Sequence, residues 1–234
     1  MNRRRVLAVV TIAVVGAVAL TGCQQAPDTA AYVGKDKLTI KQVDGMVKEY
    51  AEHHPANEGK AGEAQLRNQI VSSWLIAELG KTLVADGKLD KPVVDVAAAA
   101  KRFELGENGT LARVIAESTA YRASLAKAKP VQPTEADYEA VLAEAVRMQV
   151  VPPATKVAEL RQSLPAATLA PAIAIRDLLV GAQAKHTTEV NPKFGPIVYG
   201  VLELQGGGSL VQVPLGSGQA AVTDLPSSDP NLLR

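Results

Sequence analysis

Apolar and polar positions follow three regimes along this chain. Val6 to Leu20 is almost purely apolar behind Arg3, Arg4 and Arg5. That is the order of an export signal, and the run is short beside the roughly 20 residues of a membrane span. From residue 31 the pattern predicts a short strand at Tyr32-Val33, a turn at Gly34–Lys37 and a returning strand at Leu38–Ile40. Thr39 stands three residues before Gln42, the spacing of a capping box, and Val43, Met46, Val47 and Tyr50 then share one helical face.

After the polar loop "HHPANEGKAG" the strongest helix carries Leu66, Ile70, Val71, Trp74, Leu75, Leu79 and Leu83 on one stripe. Asp90 is expected to cap a third helix that holds Pro92 in its first turn and runs to Phe103. Thr110 opens a fourth, and Thr134 with Asp137 opens a fifth carrying Tyr138, Val141, Leu142 and Val146. A short helix is expected around Val157–Leu164, and a longer one over Ala170–Lys185. The third regime begins near residue 190, with strand-like pieces punctuated by Gly and Pro and a turn at Gly206–Gly208. The small polar residues from Gly216 onward predict a disordered tail. The expected fold class is mainly α within α+β: about six helices and a small sheet joining N-terminal and C-terminal strands.

Composition narrows the chemistry. Aromatic residues make up 3% of the chain, too few for platforms that stack bases or sugars. The formal charge of +1 turns slightly negative once Arg3, Arg4 and Arg5 are set aside, so no basic excess points to nucleic acid. The lone cysteine, Cys23, rules out an intramolecular disulfide and a Cys/His metal cluster. No cofactor is expected.

Candidate sites are sparse. His53-His54 lie in a solvated loop, and His186 follows Lys185 at a helix end where positive charge suits the dipole. Glu135, Asp137, Glu139 and Glu144 form an acidic face expected to be solvated rather than catalytic. Ser72-Ser73 lacks a nucleophile elbow, and "QGGGS" at 205–209 lacks the Lys-Ser/Thr of a phosphate cradle. Trp74 reads first as core. Leu66, Ile70, Trp74, Ile175 and Leu179 are the candidate binding set, should the early and last helices converge on one apolar cleft.

Two resemblances extend this reading. Leu20-Thr21-Gly22-Cys23 resembles the lipobox of bacterial lipoproteins. It implies cleavage after Gly22, a diacylglyceryl thioether on Cys23 and anchoring at the extracytoplasmic face of the cell membrane. Residues 1–22 are then a lipoprotein signal peptide and 23–30 a lipidated tether. The order Ala31, Val33, Gly34, Leu38, Thr39, Val43, Asp44, with "VNPKFG" at 190–195 after a long helix, resembles the N-terminal domain of SurA/PrsA-like exported chaperones of the actinobacterial lipoprotein type. It covers roughly residues 30–200, and its weight lies in order and spacing.

The resemblance implies a helical domain over 31–200, followed by a β-hairpin-like and disordered segment over 201–234. It also implies binding of non-native or partner polypeptides, exported or envelope proteins, without turnover. Residues 126–165 are too few and too helical for the parvulin isomerase domain such proteins often carry. The alternatives are a prolyl isomerase-related enzyme and an envelope lipoprotein that binds one specific partner.

Overall fold

The computed structural model describes residues 28–55, 60–205 and 207–216. Cys23, the leader, most of the tether and the tail beyond Gly216 lie outside the described residues. The chain runs β1 (Thr29–Val33), β2 (Asp36–Thr39), α1 (Ile40–His53), α2 (Lys60–Ala85), α3 (Val96–Arg102), α4 (Thr110–Leu125), α5 (Glu135–Arg147), α6 (Val157–Ser163), α7 (Ala166–Lys185), β3 (Thr188–Val190), β4 (Val198–Glu203) and β5 (Ser209–Pro214). It is mainly helical with small antiparallel sheets, and the described residues form seven α-helices rather than about six. Among them, no single helix is long and apolar enough to cross a membrane.

The expected sheet forms. β1 lies between β2 and β3, antiparallel to both, with Ala31 opposite Val190 and Val33 opposite Thr188. The closing strand ends at Val190. Asn191 then donates its side-chain amide to the Thr29 carbonyl at 2.9 Å and caps a 3-10 turn at Pro192–Phe194. Gly34 takes φ +60 in the β1–β2 turn, a value that suits glycine, and its N–H donates to the Thr187 carbonyl.

Local chemistry starts the helices. Thr39 and Gln42 form the capping box of α1, and Thr134 and Asp137 that of α5. The expected start at Asp90 is corrected to Asp95, whose side chain accepts from the Ala98 N–H at 2.8 Å. Pro92 disfavours a helical residue before it, and the β-branched pair Val93-Val94 favours extended backbone, so the helix waits for the next capping side chain.

The main core gathers Val33, Leu38, Met46, Leu75, Leu79, Leu111, Leu125 and Leu179, all buried. A second cluster joins Tyr138, Val141, Leu160, Leu169, Ile173 and Val211. The β4–β5 hairpin belongs to both, because Val213 and Leu215 enter the main core while Val211 enters the second. The boundary expected at residue 200 falls inside β4.

Candidate functional site

A cleft of about 660 Å³ lies between α2, α4 and the segment 196–198. On α2, Leu66, Gln69, Ile70 and Ser73 recur at the i, i+3, i+4, i+7 spacing of one helical face. On α4, Leu111, Ile115, Ser118, Thr119 and Arg122 do the same. Phe103 and Leu105, just past α3, and Ile197 and Val198 complete the lining.

The lining has two characters. Ile70, Leu105, Leu111 and Ile197 are buried and make an apolar floor. Asn68, Gln69, Ser72, Ser73, Ser118 and Thr119 place amides and hydroxyls beside it, and no side-chain hydrogen bond among the described residues occupies them. Phe103 and Val198 are large apolar residues left exposed at the rim. Arg122 is the one charged group in the lining among the described residues, and its guanidinium lies 5.1 Å above the Tyr199 ring. Burial pushes the Tyr199 phenol above its ordinary pKa, against the opposing pull of Arg122.

The floor is held by an inter-helix cap. Gly109 opens α4 with no capping side chain of its own, and Glu49 of α1 supplies one, its Oε2 accepting from the Leu111 N–H at 3.1 Å. A Cβ at Gly109 would come within 1.9 Å of Glu49 Oε1, so glycine makes room for the carboxylate.

The structure separates the five candidate residues. Leu66 and Ile70 line the cleft. Trp74 and Leu179 are buried in the main core, and Ile175 packs half-buried against it, so these three do not reach the cleft and the set does not converge. The cause is the crossing of α2 with α4: past Ile70 the α2 stripe turns under β1 and α7, and the sheet seals it. Phe103, Ser118, Thr119, Arg122 and Val198 belong to the lining and lie outside the candidate set. For Ser118 and Thr119 the sequence carries one signal, the shift from aliphatic to hydroxyl residues along one face of α4; for Phe103 and Val198, on other elements, it carries none.

Other candidates have structural partners. His54 Nε2 lies 3.0 Å from the Phe103 carbonyl, and its ring stacks on Tyr50 at 4.3 Å. His186 faces Asp86, which also pairs with Lys185. The acidic face expected on α5 is not uniformly solvated. Asp137 is buried and bound to Arg176 of α7 at 2.7 Å, while Glu135 pairs with Arg161 and Glu144 with Arg147. Burial pushes the Asp137 pKa up, but the Thr134 amide and hydroxyl together with Arg176 outweigh it and hold it below the ordinary range.

No protein-family model matches this chain. Neither does any curated protein or solved structure. What the cleft does is therefore argued from its own chemistry.

Proposed function

We propose that this protein is a lipid-anchored, extracytoplasmic binding protein that takes a short segment of a partner polypeptide into the α2–α4 cleft without turning it over. The observation that carries the reading is the lining, an apolar floor beside a row of amides and hydroxyls with no side-chain hydrogen bond among the described residues. A polypeptide segment offers the complement, with side chains for the floor and main-chain groups for the polar wall. The element order that resembles SurA/PrsA-like chaperones supports the same reading. The burial of Trp74 and Leu179 removes a broad multi-helix cradle and favours a narrow partner range over general chaperoning.

Two experiments test it. Thr119 is exposed at the cleft wall, so Thr119→Trp fills the cleft from its rim. In an array of short peptides tiled from exported proteins, the full chain is expected to bind a narrow subset, and Thr119→Trp to abolish that binding. No peptide bound by the parent, or equal binding by the variant, removes the cleft as a polypeptide site. For the anchor, Cys23→Ser is expected to abolish acyl labelling and release the protein from membranes, since stable anchoring takes two or more chains. Palmitate still carried by the Cys23→Ser protein contradicts the lipid assignment.

A further inference from the structure

A second groove of about 500 Å³ lies on another part of the molecule, between the end of α2, the α4–α5 connection and α7. Its floor is aliphatic: Leu83, Leu178 and Ala182, with Val131 exposed along one wall. Gly181 belongs to this lining, and a Cβ built there meets no atom within 4 Å beyond its chain neighbours and its own helix backbone. The helix therefore leaves open a space that any other residue would begin to fill.

The rim is charged, and its charges are not equivalent. Asp86 is taken by Lys185 and His186, and Asp177 by Arg176. Lys88 and Lys129 also line the groove, and neither has a carboxylate partner among the described residues. An aliphatic trough with two unneutralised ammonium groups at its edge is complementary to a molecule with one apolar chain and one negative head.

We propose that this groove binds a free long-chain fatty acid, with its chain on the floor beside Gly181 and its carboxylate at the Lys88 and Lys129 rim. The site is separate from the polypeptide cleft and stands independently of that reading.

The test uses the full chain in phosphatidylcholine nanodiscs with a diazirine-bearing palmitate, its uncharged monoacylglycerol counterpart, and peptide mapping by mass spectrometry. Palmitate is expected to label residues 83–88, 128–131 and 174–185, and the uncharged probe to label them far less. Lys88→Glu with Lys129→Glu is expected to cut palmitate labelling about tenfold, the effect of reversing two exposed ion-pair contacts. Gly181→Phe fills the groove and should abolish labelling. Gly181→Ala, which leaves most of the space open and removes a poor helix former, should retain it. Thermal unfolding of each variant reports whether its fold is intact. Equal labelling by the uncharged probe, or labelling that survives Gly181→Phe, overturns the proposal. Displacement by inorganic phosphate alone also overturns it, because the rim would then be a site for free anions.

Discussion

At the scale of single residues, close approach decides more than propensity. Gly80 faces Tyr121 across the α2–α4 crossing, and a Cβ there would lie 2.4 Å from the Tyr121 ring. Alanine forms helix better than glycine by about 1 kcal/mol, yet inserting a methyl into a packed contact costs about 1–3 kcal/mol. Gly80→Ala is therefore expected to destabilise the protein, by a lower urea midpoint at unchanged slope. A midpoint equal to the parent's would show that the Tyr121 ring moves aside freely. The sequence alone does not mark Gly80, because its partner lies on a different element.

At the scale of elements, the same division between local and remote information recurs. The capping boxes Thr39–Gln42 and Thr134–Asp137 were legible because both members sit within one turn. The α4 cap was not, because Glu49 comes from another helix. Glu49→Ala is expected to cost about 0.5–2 kcal/mol, the usual range for losing an N-cap. The loss should be concentrated in hydrogen-exchange protection of the first turn of α4 and of the cleft floor at Leu111. Uniform loss of protection across the fold would contradict a local cap. The stripe on α2 was equally plain, but a stripe shows which face is buried and not what covers it. For that reason Leu66 and Ile70 fell on the cleft while Trp74, Ile175 and Leu179 went to the core.

At the scale of the whole molecule, paired carboxylates set the response to acid. Asp137 joins α5 to α7, and Asp86 joins the end of α2 to the end of α7. Hydrogen bonds to Lys185 and His186 hold Asp86 below its ordinary pKa, and Thr134 with Arg176 do the same for Asp137. A carboxylate with a lowered folded pKa contributes stability above its unfolded pKa and loses it as pH falls through the folded value. Stability is thus expected to fall once pH drops below about 4. Glu78 works in the opposite sense, since burial raises its pKa despite Lys81, so its contribution is present in acid and lost as pH rises. Asp137→Asn isolates the first effect. It is expected to be less stable than the parent at neutral pH by about 1–3 kcal/mol, with the gap narrowing in acid. A gap that stays constant from pH 7 to pH 2 would mean that the Asp137 charge contributes nothing.

The central place of β1 in its sheet also fixes the order in which the molecule can be finished. A chain delivered from its N-terminus presents the β1–β2 hairpin almost at once, but one side of β1 has no partner until Thr188–Val190 arrives. A two-stranded hairpin is marginal in water, and a bare strand edge is a template for any other extended chain. Through most of its delivery the nascent protein therefore carries an adhesive margin that only its own far end can cover. A ribosome or translocon that stalls before residue 188 would leave behind a product unable to close and prone to pair with its neighbours.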